Sequence, residues 1–301
     1  MIPKIHLSIL ASGSKGNAAL VQGPAGLVLI DCGISRKALR DRMCQMGYEP
    51  QELTAIILTH EHTDHISGLR VFSKDVSVPI YATAGTAAHL TQLALPLRLI
   101  SHDETLFMAG MRITCFPTSH DVGDPIGLRF DVTEHSVSAD APTEAAPAPA
   151  ESAPAGEKIF SPGANADEVL DALGWMTDTG YVTEQAFSAL RGCRILGIEA
   201  NHDPQMLAHS PYPAAVRKRI AGDRGHLSND QCAEALDALV THETETVVAL
   251  HLSEKNNRPS LALAALAKPL DAVCDGSGEA RSKDGLLSVC VASQTSPMSV
   301  Y

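Results

Sequence analysis

Thr59-His60-Glu61-His62-Thr63-Asp64-His65 decides the reading of this chain, because it packs three histidines and two carboxylates into six successive positions. Imidazole and carboxylate together suit borderline divalent ions such as Zn²⁺ or Mn²⁺. A solvated, histidine-rich loop is the alternative, but the preceding residues argue against it. Leu53-Thr54-Ala55-Ile56-Ile57-Leu58 is a short apolar, β-branched run that reads as a buried strand. The cluster therefore sits where a strand ends, a rigid platform for a metal site. In an extended loop, positions 60 and 62 point the same way, while 64 and 65 can turn toward a neighbouring position. Two protein ligands per ion are too few, so distant residues must complete each coordination shell.

Other strand ends carry similar chemistry. Thr114-Cys115-Phe116-Pro117-Thr118-Ser119-His120, Trp175-Met176-Thr177-Asp178 and Val248-Ala249-Leu250-His251 each run from an apolar strand into a histidine or an aspartate. Ile30-Asp31-Cys32-Gly33 does the same. Singly, each has a plain reading: a polar loop histidine, an aspartate capping a helix near Thr183, a turn aspartate at 31.

Together these segments resemble the metallo-β-lactamase superfamily over most of the chain. The resemblance implies an α/β fold of the αββα sandwich type, two sheets face to face with helices outside. It implies two divalent metal ions, Zn or Mn. His60, His62 and His120 would serve the first and Asp64, His65 and His251 the second, with Asp178 bridging them. A bridge of this kind holds ions about 3.5–4 Å apart, the spacing of two-metal hydrolases. Asp31 would fix the ligand loops or a histidine's orientation.

Composition sets the remaining bounds. At 301 residues the chain can bury a large core, and 45% hydrophobic content is ordinary for a globular protein. No run of eighteen apolar residues is present, so no membrane span is expected. The first residues lack the features of a signal peptide. Seven cysteines without a C-x-x-C pair suggest reduced thiols and a cytoplasmic setting. Cys32, Cys115, Cys193 and Cys290 lie in or beside apolar runs and read as small core residues. The net charge of −12 disfavours a broad basic surface for nucleic acid. Two divalent ions would add about +4 locally.

Short strands are expected at residues 5–10, 18–21, 27–30, 53–58, 79–82, 97–100, 111–116 and 126–132. Helical spacing runs over 36–46 and again from about Ile66. Residues 136–167 are rich in Ala and Pro and cannot bury a core, so they read as a disordered surface insertion in a single domain spanning 1–301. Order resumes with a strand of apolar alternation at 169–176 and further strands at 194–198 and 245–250. Helices are expected at 213–220, 229–240 and 259–266, and an edge strand at 286–291. No informative motif follows residue 268 or so.

Four further segments resemble the WalJ/YycJ-type exonuclease branch of that superfamily. They are Leu10-Ala11-Ser12-Gly13-Ser14-Lys15-Gly16-Asn17, Glu199-Ala200-Asn201-His202-Asp203, Arg224-Gly225-His226-Leu227-Ser228-Asn229 and His251-Leu252-Ser253-Glu254-Lys255-Asn256-Asn257. The insertion departs from the compact pattern of that branch. The resemblance implies a two-metal phosphodiester hydrolase acting as a DNA exonuclease, 5′ to 3′, with DNA as partner. Asp64, His226 and Glu199 form the implied catalytic set, with Glu199 holding His226 charged. A helix-start residue is the plain reading of His226. Ser228 is a candidate helix cap that could meet a phosphate with the nearby N–H groups. Ser228, Asn229, Ser253, Asn256 and Asn257 are candidate substrate contacts, although turn capping explains them nearly as well. Lys15 and Arg219 are weaker phosphate candidates, and His202 belongs equally to site or core. The alternative function is a small-molecule metallohydrolase for a cyclic phosphodiester, thioester or lactone, which the negative charge favours.

Overall fold

Apolar runs too short for helices, rich in Val, Ile and Leu, become strands whose hydrogen bonds are satisfied in two sheets. The computed structural model describes residues 4–102, 104–134 and 168–301. Its first half holds β1 (His6–Ala11), β2 (Ala18–Gly23), β3 (Gly26–Ile30), α1 (Arg36–Gln45), β4 (Leu53–Ile57), α2 (Thr63–Ile66), α3 (Leu69–Phe72), β5 (Ile80–Thr83), α4 (Ala84–Leu90), β6 (Leu97–Ile100), β7 (Thr105–Met108), β8 (Met111–Pro117) and β9 (Ile126–Thr133). Its second half holds β10 (Val169–Met176), α5 (Glu184–Leu190), β11 (Ile195–Glu199), α6 (Pro204–Ala208), α7 (Ala214–Ile220), α8 (Asn229–Leu239), β12 (Thr246–Leu250), α9 (Pro259–Ala267), β13 (Val273–Cys274), β14 (Ala280–Arg281), β15 (Ser288–Val291) and β16 (Met298–Val300).

One sheet has the order β16-β1-β2-β3-β4-β5-β6, the other β13-β14-β15-β12-β11-β10-β9-β8-β7. Ile9, Val28 and Ile57 of the first sheet and Leu128, Trp175 and Val248 of the second share one apolar layer between them. Leu39, Phe72 and Leu90 from α1, α3 and α4 cover the outer face of the first sheet. Leu190, Leu236 and Leu266 from α5, α8 and α9 cover the second. The αββα layering expected from the sequence is therefore the observed one. Among the described residues, no helix is long and apolar enough to cross a membrane.

Several details differ from the sequence reading. Helix α2 starts at Thr63, not near Ile66, so Asp64 and His65 lie on its first turn and not in an extended loop. Residues 171–176 of β10 are all buried, because α5 covers the outer face and removes the alternation. Strand β15 is not an edge: it lies between β12 and β14, with Val247 opposite Val289. Strand β16, from the stretch without a motif, pairs with β1 and belongs to the other sheet. The expected insertion at 136–167 lies outside the described residues. The strands flanking it are antiparallel neighbours, with Thr133 opposite Val169.

Candidate metal centre

Strands β3 and β4 run parallel, as do β10, β11 and β12, and β8 shares the direction of β10 through two antiparallel steps. Their carboxyl ends therefore open on one side, and each delivers a titratable residue there. Three of those residues leave the strand with left-handed backbones: Asp31 at φ 58°, Asp178 at φ 55° and His251 at φ 55°. For residues other than glycine this conformation costs on the order of 1–2 kcal/mol and clusters at functional sites.

Four overlapping groups of donors result among the described residues: two are the expected sets, a third is His60, His65 and Asp178, and a fourth joins Asp178 and His251 to Glu199 and His226. The ligand atoms of His60, His62 and His120 all lie within 4.8 Å of one another, and so do those of Asp64, His65 and His251. Asp178 stands between them. Its Oδ1 is 4.0 Å from His60 Nε2 and 3.6 Å from His120 Nε2, and its Oδ2 is 3.2 Å from His65 Nε2. Asp64 Oδ2 is 3.3 Å from His251 Nε2. All seven ligand candidates from the sequence thus meet at one place. Glu61, from the same motif, does not join them: it accepts hydrogen bonds from Gly123 N–H and the Thr86 hydroxyl.

The donor set fits a divalent cation. His60 Nε2 and Asp178 Oδ2 are buried and make no hydrogen bond. An unsatisfied buried polar atom costs about 1–3 kcal/mol, and a cation coordinated by both would remove that cost.

Hydrogen bonds behind the donors fix their orientation. Asp31 Oδ2 lies 2.7 Å from His65 Nδ1, and the same carboxylate accepts from Thr59 N–H and the Thr59 hydroxyl. His120 Nδ1 is held by Gly225 O at 2.9 Å. Both arrangements turn Nε2 inward, as metal-ligating histidines require. Asp31→Ala is expected to weaken metal affinity by about 10–100-fold while the fold persists. Metal titration of the variant checks this, and unchanged affinity would remove Asp31 from the site.

Glu199 is fully buried and serves two histidines at once. Its Oε1 lies 2.8 Å from His226 Nδ1 and 3.0 Å from His251 Nδ1, while its Oε2 accepts from Thr179 N–H and Leu227 N–H. The expected contact with His226 is present, and the sequence did not show the second contact.

Charge compensation dominates this cluster in the metal-free chain. Burial alone would raise the Asp178 carboxyl, but His251, His65 and His60 hold it well below the usual carboxylate range. Burial and the neighbouring histidines push His60 well below its ordinary value. His65 is raised to about 10 because Asp31 and Asp178 outweigh its burial. In the same way Glu199 outweighs burial and raises His226. Burial opposes the ionisation of Glu199, yet His226 and His251 lower it from 4.5 to about 2. A depressed carboxylate stabilises the folded state above its unfolded pKa, and that contribution is lost as pH falls through the folded value. Metal-free Glu199→Gln should therefore show a flatter acid limb between about pH 4.5 and 2 than the unaltered protein. Parallel limbs in acid-unfolding curves would show that Glu199 carries no such linkage.

The substrate candidates fare differently. Ser228 caps α8 through its hydroxyl, which accepts from Gln231 N–H, and Gln231 returns the bond in a capping box. Asn229 and Asn257 are buried and hydrogen-bonded to each other, and Asn257 also donates to Ala200 O and Asn201 O. Asn256 is buried too and bonds the Ser253 hydroxyl. The side-chain amides of Asn229 and Asn257 are spent on each other and on the backbone, so the reading of these two as contacts is corrected to one of support, while the buried Oδ1 of Asn256 has no partner. Asn257 braces Asn201, whose amide donates to His251 O. Half-buried Ser253 is engaged as an acceptor in the same turn. Lys15 pairs with Glu254 and Arg219 with Asp121.

Three neighbours of the donors were not singled out from sequence. Asn17 Nδ2 lies 3.0 Å from His65 Nε2, and Asn17 N–H donates to Asp64 O. Asp121 Oδ1 is 3.5 Å from His120 Nε2 and 3.8 Å from His62 Nε2. Asn201 holds the His251 backbone. Asn17 and Asn201 sit inside quoted motifs, and Asp121 follows His120, so adjacency was the available signal. Gly33 is a fourth: a Cβ there would collide with Asp64 O. Gly33→Ala should displace the ligand loop and destabilise the protein by about 1–3 kcal/mol. A thermal midpoint and a metal stoichiometry equal to those of the unaltered chain would show that the loop adapts.

Known proteins place this geometry. Residues 27–252 match the beta-lactamase superfamily domain. The chain is 28% identical over 281 residues to exodeoxyribonuclease YycJ of Bacillus anthracis, covering 92% of this chain and 93% of that protein. It is 31% identical over 255 residues to exodeoxyribonuclease WalJ of Streptococcus pneumoniae, covering 85% and 84%. Among solved structures, the metallo-beta-lactamase fold protein YhfI of Bacillus subtilis superposes with a TM-score of 0.62 at 14% identity, covering 99% of this chain and 100% of that one. A diphosphatase from the PhnP family gives 0.59 at 17% identity, covering 98% and 97%. The chain thus belongs to the beta-lactamase superfamily, in its WalJ/YycJ-type branch, and is a metal-dependent hydrolase.

Proposed function

We propose that this hydrolase uses two divalent ions, Zn or Mn, to cleave phosphodiester bonds at DNA ends in the 5′ to 3′ direction. The observation that carries the reading is His226, held by buried Glu199 at the edge of the donor cluster. Its side chain is 15% exposed, its Nδ1 faces Glu199, and its Nε2 has no hydrogen-bond partner among the described residues. That nitrogen is left to meet a substrate. The paired ions, when bound, lower the pKa of water and stabilise the attacking and leaving oxygens of a phosphodiester.

The residues of the chain supply the rest. His226, kept protonated by Glu199, donates from Nε2 to the leaving oxygen or a phosphoryl oxygen. Asp178 would bridge the ions, and Asp64 with His65 and His251 would hold the second of them. The names of the WalJ and YycJ relatives support DNA as the substrate. All seven cysteines are free thiols, which suits action in the cytoplasm. The net charge of −12 favours the second reading, a small-molecule metallohydrolase for a cyclic phosphodiester, thioester or lactone.

A turnover panel separates the two. End-labelled DNA and RNA, bis-p-nitrophenyl phosphate and a thioester are each assayed with Mn²⁺ and with Zn²⁺. DNA cleaved progressively from its 5′ end, faster than the thioester, is the expected result. Thioester or lactone turnover far above phosphodiester turnover would replace the nuclease reading with the second.

A further inference from the structure

A cavity of about 360 Å³ opens beside the His226 segment. Ligand pockets span roughly 300–1,000 Å³, so this one suits a small, single group. Its apolar wall comes from Leu207 and Ala208 of α6, and its polar lining from His202, Arg217, Ser228 and Gln231. Three features show that it is built and not a packing fault.

The first is His202. It is only 2% exposed, and its buried Nδ1 has no hydrogen-bond partner. Burial pushes its pKa down to about 4, so the ring is a neutral donor and acceptor. Only its backbone is engaged: His202 O accepts from Asn229 N–H, in a parallel bridge to Ser228. The second is Gln231. Its Oε1 accepts from Ser228 N–H and the Ser228 hydroxyl, which leaves the amide Nε2 to donate elsewhere. The third is Arg217, half-buried and anchored by one nitrogen to Ser210 O.

The cavity is also tied to the metal centre. Ser228 follows His226 by two residues, which span at most about 7 Å of chain. Helix α7 walls the cavity with Arg217, and two residues further on Arg219 pairs with Asp121, which stands beside His62 and His120. One short basic helix, carrying Arg217, Lys218 and Arg219, thus leans on both.

We propose that this cavity receives the nucleobase of the nucleotide adjacent to the attacked phosphodiester. A base is flat and apolar on its faces and carries donors and acceptors on its edge, which matches an apolar wall with His202 and Gln231 at its margin. The inference rests on the nuclease reading and names the part of the substrate that the chain grips. It also gives a −12 protein a way to hold DNA without a broad basic surface: one buried base and a local cationic helix.

Binding without turnover tests it. The full chain, loaded with Mn²⁺, is titrated with each of the four deoxynucleoside 5′-monophosphates and with deoxyribose 5-phosphate. Both kinds of probe carry the same phosphate, so contact with the ions cancels. At least one nucleotide should bind roughly tenfold or more tighter than the sugar phosphate, the weight of a hydrogen bond with modest apolar burial. Ala208→Trp is at an exposed position of α6, so the helix tolerates it, and the indole should fill the cavity and abolish that difference. Equal binding of all five probes to the unaltered protein, or an undiminished difference in Ala208→Trp, would overturn the pocket. That failure leaves the cleavage panel untouched. Base selectivity without any DNA cleavage would instead keep the pocket and overturn the nuclease reading, moving the substrate to a free nucleotide.

Discussion

Asp178→Asn is expected to lower turnover by about 10³-fold and to leave fewer than two ions bound per chain. The side chain is nearly unchanged in size, and asparagine tolerates the left-handed backbone that Asp178 adopts. Folding should survive, so the loss can be read as chemistry. What disappears is the negative charge that faces five imidazoles. Asp178 Oδ1 lies 3.5–4.0 Å from His251, His120, His226 and His60, and Oδ2 lies 3.2 Å from His65. Without it, a second cation would enter a cluster that has lost its central anion. Elemental analysis after controlled loading, beside the turnover assay, is the measurement. Two ions retained with near-normal activity would show that the bridging assignment is wrong.

His226→Ala should behave differently. Both ions should remain, and turnover should fall by about 10²–10⁴-fold, the usual cost of a positioned proton donor. His251→Ala should lose metal first, with activity following, because its Nε2 faces Asp64. Glu199→Gln should show both defects in milder form, since one carboxylate oxygen holds both rings. A His226 variant that loses an ion, or a His251 variant that keeps both, would mean the two roles are exchanged.

The cluster of candidate donors was legible because its chemistry is local. His60, His62, Asp64 and His65 fall within six positions, and His120, Asp178 and His251 each follow an apolar strand. Parallel pairing of β10, β11 and β12 then brings separate strand ends to one edge. The double grip of Glu199 was not legible, because it depends on two loops meeting across that edge. Asn229 and Asn257 misled for a related reason: an asparagine in a polar motif looks available, and only packing shows that the two are bonded to each other. Strand β16 was missed because Met298–Val300 has no pattern of its own and is a strand only through its pairing with β1. The start of α2 was misjudged because histidines in a ligand run carry no helix signal.

The left-handed backbones at Asp31, Asp178 and His251 show which demand wins at these strand ends. Glycine adopts that conformation without strain and would relieve about 1 kcal/mol at each. It would also strand buried partners: Thr59 and His65 beside Asp31, Glu199 beside His251, and the histidines around Asp178, at about 1–3 kcal/mol apiece. The strained backbone is therefore held in place by the side chain it presents, and a glycine just past the end of β3, β10 or β12 should soften the fold as well as empty the cluster.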